Sequence, residues 1–258
     1  MNKLLYFAIS TPDYLDLFEL CLKSGAKEMN DNNISVLCIV DKGTHDGVVD
    51  IIKTCGIKSS SVLLCKEYTH VHSHWRYNLK LEIVYFDDLP KYDKIVYCDI
   101  DILFTKNSIV PLFDIINNDN LYVYKENFNS YKQPYFFNTF LYTDDDIKTI
   151  DNYPKKSPIN TGVFGWKRND TIIEQFKSII TAIDNYYDTV EEKNHTYDQV
   201  FINHRFLLDQ NIEYMYQHLV TISPEREFKH GRVLHFTYIN KFVRMSKIYD
   251  YIKKCENE

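Results

Sequence analysis

The sequence predicts an α/β fold: a parallel sheet covered by helices on both faces, in one domain with two lobes. Three observations predict it. Short, strongly apolar runs recur through the first hundred residues, helix-patterned segments separate them, and no linker or low-complexity stretch divides the 258 residues. Strands covered on both faces read as continuous apolar runs rather than alternating ones, and parallel neighbours need a crossover between them.

Residues 4–9 (Leu-Leu-Tyr-Phe-Ala-Ile) are the first such run. Residues 13–29 follow as a helix, with Leu17, Leu20 and Cys21 at helical spacing and Thr or Asp side chains ahead of them as caps. Residues 34–40 form the second strand, and 47–55 a helix closed by Gly56, the residue that most easily takes the left-handed position after a helix. Residues 61–65 are the third strand, 75–86 a helix and 94–98 the fourth strand. Periodicity then weakens. Between 117 and 153, rich in Asn, Asp, Tyr and Phe, a strand at 121–124 leads into a long excursion that has room for short helices. Pattern returns with a strand at 159–166, helices at 171–187 and 198–208, a short strand at 233–236 and a last helix at 241–253.

Lys and Arg number 30 against 36 Asp and Glu, for a net charge of −6, so there is no overall basic footprint for a nucleic acid. The six cysteines (21, 38, 55, 65, 98 and 255) make no C-x-x-C pair and lie mostly in apolar runs, as buried thiols of a reducing compartment do. No secretory leader pattern and no transmembrane-length apolar run is present. The expectation is a soluble, cytoplasmic protein.

Open α/β sheets bind ligands at the C-terminal ends of their strands. Neither G-x-G-x-x-G nor G-x-x-x-x-G-K-[ST] occurs, so a nucleotide diphosphate held here would need a carboxylate-bound cation to neutralise it. The strand at 94–98 runs straight into Asp99-Ile100-Asp101. In extended chain these two carboxylates face one side, and two like charges there call for a proton or a cation between them. Hard oxygen ligands suit Mg²⁺ or Mn²⁺. By itself, Asp-x-Asp is read equally well as a solvated turn.

Six segments in order carry a family likeness. Residues 92–103 (Tyr-Asp-Lys-Ile-Val-Tyr-Cys-Asp-Ile-Asp-Ile-Leu) resemble the Asp-x-Asp strand of family 8 glycosyltransferases, and residues 9–14 their first strand end. Lys80 matches a lysine that precedes that strand, Asn160-Thr161-Gly162-Val163 the family's "NTGV", Asp198-Gln199 its "DQ", and 235–241 its "HxxGxxKPW". The resemblance is to glycogenin-like members and implies a GT-A fold, a Rossmann-like α/β/α sandwich with a mixed, mostly parallel central sheet. Residues 1–104 would be the nucleotide-binding half, and 105–258 the half that completes the metal site and receives the acceptor. It further implies a retaining enzyme that uses Mn²⁺, or Mg²⁺ in its place, and a UDP-sugar, foremost UDP-glucose, with a glycan or protein acceptor; a homodimer is compatible with it. Asp99, Asp101 and His235 would hold the metal. Lys80 and Lys241 would face the diphosphate, Ile9, Thr11 and Tyr14 the nucleoside, and Arg76, Ile100, Asn160 and Gly162 the donor. Asp198 and Gln199 would lie beside the anomeric carbon, where either a covalent glycosyl intermediate or a front-face displacement retains configuration. Gly162 within a strand also signals a bulge or a close backbone approach, and Asp198 also reads as a helix cap. The chain departs from the pattern with Tyr238 for glycine, Phe242-Val243 for Pro-Trp, and Glu126 where an aspartate is common. Two alternatives stay open: self-glucosylation, with Tyr214 and Tyr216 among the candidates, and a binding module without catalysis. His70, His72 and His74 read as a loop.

Overall fold

The computed structural model describes residues 1–65, 75–126, 131–132, 136–137, 139–189, 198–222, 231–237 and 240–257; the side chains of 75–77 and 255–257 are not among the features described. Ten strands are present among them: β1 (Lys3–Ile9), β2 (Ile34–Val40), β3 (Ser60–Leu64), β4 (Lys94–Cys98), β5 (Ile102–Phe104), β6 (Leu121–Lys125), β7 (Ile159–Lys167), β8 (Ile212–Glu213), β9 (Val220–Ile222) and β10 (Val233–His235). Seven form one sheet in the order β3-β2-β1-β4-β7-β6-β8, and β5, β10 and β9 form a second, smaller one. In the large sheet only β7 runs against its neighbours. The mixed, mostly parallel α/β architecture is therefore the one expected.

The strand β1 shows why its sequence is apolar throughout. Leu5, Phe7 and Ile9 enter a core shared with α1 (Leu15–Asp31), α2 (His45–Thr54) and α7 (Lys241–Asn257). Leu4 and Tyr6 enter the opposite core, shared with α5 (Asp170–Thr189) and α6 (Asp198–Asp209). Successive side chains of a strand point to opposite faces, so a strand covered on both sides has no polar position to spare. Gly56 closes α2 at φ +66°, with Gly56 N–H donating to Lys53 O (3.0 Å), which explains the glycine there.

The structure differs from the expectation in three places. Residues Trp75–Tyr85 form a 3₁₀ helix rather than an α-helix. Asn78 through Ile83 are all buried, so the segment has no polar stripe to set a 3.6-residue period. A helix that the pattern does not predict, α3 (Val110–Asp114), precedes the weakly periodic stretch, and of the short helices expected within that stretch the structure has α4 (Asp144–Asp151). The latter starts at a capping box, Thr143 accepting from Asp146 N–H and Asp146 from Thr143 N–H. Finally, β5, β8 and β9 have only two or three residues each, too few to show a period. No helix among the described residues is long and apolar enough to cross a membrane.

One carboxylate ties α1 to the chain beyond the small sheet. Glu28 accepts from the backbone N–H groups of Ser108 (3.0 Å), Ile109 (2.8 Å) and Val110 (2.9 Å). Ser108 and Ile109 are fully buried, so no water replaces that acceptor. Glu28→Ala is expected to lower stability by about 2–3 kcal/mol and Glu28→Gln by less, read as a shift of the urea midpoint at unchanged m-value. A midpoint unmoved by Glu28→Ala would remove this contact from the account.

Candidate active site

The chain changes sheets between Asp99 and Asp101. Asp99 N–H donates to Gly162 O (2.7 Å), extending the β4–β7 ladder by one residue. Asp101 O accepts from Phe236 N–H (2.8 Å), extending the β5–β10 ladder. One carboxylate thus belongs to each sheet, with Ile100 between them, 8 % exposed, at the turn. His235, the last residue of β10, is paired with Ile102 and brings its imidazole to both. Nε2 lies 3.2 Å from Asp101 Oδ1 and 3.8 Å from Asp99 Oδ2. One ligand atom from each of the three residues falls within 4.8 Å of the others.

Two ammonium groups flank this cluster. The buried Lys80 Nζ lies 3.1 Å from Asp198 Oδ2 and 3.6 Å from Asp99 Oδ1, donates to Thr161 O (3.2 Å), and stands 4.8 Å from the centroid of the Tyr97 ring. Burial works against its charge, but Asp198 and then Asp99 outweigh it and hold Lys80 above the ordinary lysine value. Lys241, from the first turn of α7, is paired with Asp101 Oδ2. Burial alone would lift the Asp101 carboxyl; His235 and then Lys241 reverse this and hold it well below the usual carboxylate range. The Tyr97 hydroxyl donates to Asp99 Oδ1 at 2.5 Å, and burial, then the Asp99 charge, keep it protonated.

His235 Nδ1 is buried with no hydrogen-bond partner among the described residues, and the buried Asp101 Oδ1 has only His235 Nε2 close by, at 3.2 Å without hydrogen-bond geometry. A buried acceptor left so is costly unless something of opposite charge meets it. Two carboxylate oxygens and an imidazole nitrogen are a donor set that Mn²⁺ and Mg²⁺ accept, and the residues present therefore fit a divalent ion.

The cleft in front of the cluster has a volume of about 270 Å³ and lies at the C-terminal ends of β1 and β4. Ala8, Ser10 and Tyr14 line it from β1 and the turn after it, whereas the side chain of Ile9 is fully buried in the core, which corrects its expected place in the nucleoside pocket. The alternation of the strand explains this, since Ile9 faces away from Ala8 and Ser10. Thr11 is buried at the start of that turn, its carbonyl accepting from Tyr14 N–H (3.1 Å). Asp198 and Gln199 line the cleft from the first turn of α6. Gln199 Nε2 donates to Ile159 O (2.8 Å) and faces Glu126 Oε1 (3.4 Å). Both partners are acceptors, so the Gln199 carbonyl oxygen is the atom left for the cleft. Glu126 also accepts from Asn160 Nδ2 (2.6 Å), while Asn160 Oδ1 accepts from Gly162 N–H (2.9 Å). The Arg76 side chain, the three loop histidines and Tyr238 lie outside the described features.

Gly162 stands behind the cluster of Asp99, Asp101 and His235. The β6–β7 register shifts between Val123 and Tyr124, so residues 161–163 arch out of that ladder, and an added Cβ at Gly162 would stand 2.3 Å from His235 Cε1 and 2.9 Å from Asp99 Oδ2. The glycine serves a bulge and a close approach together. Tyr97, Thr161 and Ser10 join the site without having been singled out. A signal for Tyr97 was present: it lies two residues before Asp99 in a strand, hence on its face. Gly162→Ala is expected to cost about 1–3 kcal/mol by overpacking. In a double-mutant cycle with His235→Ala most of that cost should disappear, and additive losses would rule out the contact.

No protein family matches the sequence, and neither does any curated protein. Solved structures do match the fold. The galactosyltransferase LgtC, in complex with donor and acceptor sugar analogues, superposes with a TM-score of 0.62 at 14% identity over 96% of this chain and 95% of that one. The bifunctional glycosyltransferase WbbM gives 0.66 at 15% over 98% of this chain and 51% of its own, and mouse xyloside xylosyltransferase 1 gives 0.57 at 10% over 93% and 99%. The single α/β domain described above therefore has the GT-A fold of these glycosyltransferases.

Proposed function

We propose that this protein is a retaining, metal-dependent glycosyltransferase of the family 8 type that moves a hexose, foremost glucose from UDP-glucose, to a glycan or protein acceptor. The observation that carries the reading is the meeting of Asp99, Asp101 and His235 between two buried or half-buried lysines at the strand ends of a GT-A sheet. Asp99, Asp101 and His235 would hold Mn²⁺ or Mg²⁺, which as a Lewis acid stabilises charge on a departing diphosphate.

The chain's own groups supply the rest. Lys241 reaches the cleft from the side of Asp101, and Lys80 from its floor, so both offer positive charge where a leaving diphosphate becomes more negative. Tyr14, 42 % exposed, offers a ring face at the cleft wall for a nucleoside base. Glu126 and Asn160 hold each other and orient the Gln199 amide, which keeps hydrogen-bonding groups ready for sugar hydroxyls. Asp198 and the Gln199 carbonyl oxygen stand on the wall where an anomeric carbon would lie, and both retaining routes remain compatible with them. The free, buried thiols of Cys21, Cys38 and Cys98 suit a reducing, cytoplasmic setting.

Self-glucosylation on the two tyrosines singled out from the sequence is not supported. Tyr216 is fully buried with its hydroxyl donating to Leu112 O (3.0 Å), and the Tyr214 hydroxyl is engaged by the carbonyls of Lys155 (3.0 Å) and Ser157.

The reading is tested by UDP release from a panel of UDP-sugars with Mn²⁺ and with EDTA. One donor is expected to turn over with Mn²⁺, and EDTA to abolish it. Asp101→Asn, which leaves the shape and removes the charge that faces His235 and Lys241, is expected to lower kcat/KM at least 100-fold, about 2.7 kcal/mol or more of lost transition-state stabilisation. Turnover undiminished by EDTA would sink the metal-dependent mechanism, and failure to bind UDP at all would sink the enzyme class.

A further inference from the structure

Each of the two carboxylates in the cluster is divided between two duties. Asp101 gives Oδ2 to Lys241 and turns Oδ1 toward His235 Nε2. Asp99 gives Oδ1 to the Tyr97 hydroxyl (2.5 Å), with Lys80 Nζ beyond it at 3.6 Å, and turns Oδ2 toward His235 Nε2. Tyr97 itself has no freedom to leave. It is 2 % exposed, its ring packs on Tyr6 (centroids 5.0 Å apart) and Phe164 (4.9 Å), and the Lys80 ammonium covers its face. A hydroxyl held that firmly on Oδ1 keeps the Asp99 carboxylate from turning both oxygens to the centre.

We infer that Tyr97 is a positioning residue that confines Asp99 to one-oxygen ligation and thereby sets the preference of the site for Mn²⁺ or Mg²⁺ over Ca²⁺; the inference rests on the metal-dependent reading above. The physical reason is the difference between the ions. Ca²⁺ takes six to eight oxygens at about 2.3–2.6 Å and readily accepts both oxygens of a carboxylate, whereas the smaller Mg²⁺ demands near-octahedral geometry at about 2.0–2.1 Å, one ligand atom to each direction. With Asp99 presenting a single oxygen, the cluster suits the smaller ions and supplies calcium one oxygen fewer. Groups that hold a ligand's second atom commonly change metal affinity by ten- to a hundredfold when removed.

The test is Mn²⁺ binding to the full chain followed by electron paramagnetic resonance, with Ca²⁺ as competitor. Tyr97→Phe keeps the ring and removes only the hydroxyl. It is expected to weaken Mn²⁺ about tenfold while Ca²⁺ holds or gains, so the Mn²⁺/Ca²⁺ affinity ratio falls at least tenfold. Tyr6→Phe removes a neighbouring buried hydroxyl, the one that donates to Lys80 O (3.0 Å), and is expected to leave the ratio in place. A ratio unchanged in Tyr97→Phe, or moved equally by Tyr6→Phe, would overturn the inference. Should Tyr97→Phe not fold, infrared difference spectra of the unaltered chain with Mn²⁺ decide it. One-oxygen ligation widens the gap between the two carboxylate stretches, and a narrowed gap would overturn the inference. Absence of any Mn²⁺ binding by the unaltered chain would instead overturn the metal site on which it rests.

Discussion

Two carboxylates brought together inside a protein repel one another, and the site is organised around that cost. With ligand atoms no more than 4.8 Å apart, unit charges on Asp99 and Asp101 repel by about 3.5 kcal/mol at an effective dielectric constant of 20. Asp101 is largely buried as well, so water relieves little of it. The neighbours answer this charge by charge. Lys241 and His235 face Asp101, Tyr97 and Lys80 face Asp99, and Lys80 extends to a third carboxylate, Asp198. Removing one member of such a network leaves a buried charge uncompensated, which is why these contacts act together rather than as separate pairs.

The backbone that holds the charges is as constrained as the charges themselves. The chain between Asp99 and Asp101 satisfies one sheet with its first peptide group and another with its third, so the carboxylates can move apart only if a ladder opens. The arch at residues 161–163 and the missing Cβ of Gly162 then let β7 come against the His235 ring. The link between two strands and the end of β10 thus supply Asp99, Asp101 and His235, while the donors that face the carboxylates arrive from β4 (Tyr97), a 3₁₀ helix (Lys80) and a helix start (Lys241). Placement between strand ends that are fixed in two sheets favours reproducible geometry.

Much of this was legible in the sequence, for reasons that differ by element. The strands β1, β2 and β4 could be read because both of their faces are buried and their apolar runs are unbroken. Asp99, Asp101, His235, Lys80 and Lys241 were found through the order of several short motifs, since none of those residues is distinctive alone. Ile9 belongs to the motif at the end of the first strand, but the two-residue alternation sends Ala8 and Ser10 to the cleft and the Ile9 side chain to the core. Short helices are expected in the stretch that holds α4, but its bounds are not legible: Thr143 and Asp146 spell a capping box, while tyrosines and asparagines around it obscure the period. A 3₁₀ helix cannot be told from an α-helix when every residue from Asn78 to Ile83 is buried, since burial on all sides erases periodicity.

That same 3₁₀ helix shows how fold and chemistry constrain each other. Lys80 and Glu82 are buried among Leu79, Leu81 and Ile83, an expensive arrangement for ionisable groups unless each has partners. Lys80 finds three oxygens, and its own carbonyl is satisfied by Tyr6 from β1. A 3₁₀ helix rises about 2.0 Å per residue against 1.5 Å for an α-helix, so its eleven residues reach further across β1 and β2 with the same chain length. Its extended path places a lysine under the strand ends while Leu79, Leu81 and Ile83 remain in the apolar layer. Only a segment packed from all sides can hold that geometry, and packing from all sides is what keeps the Lys80 charge directed at the cleft rather than at solvent.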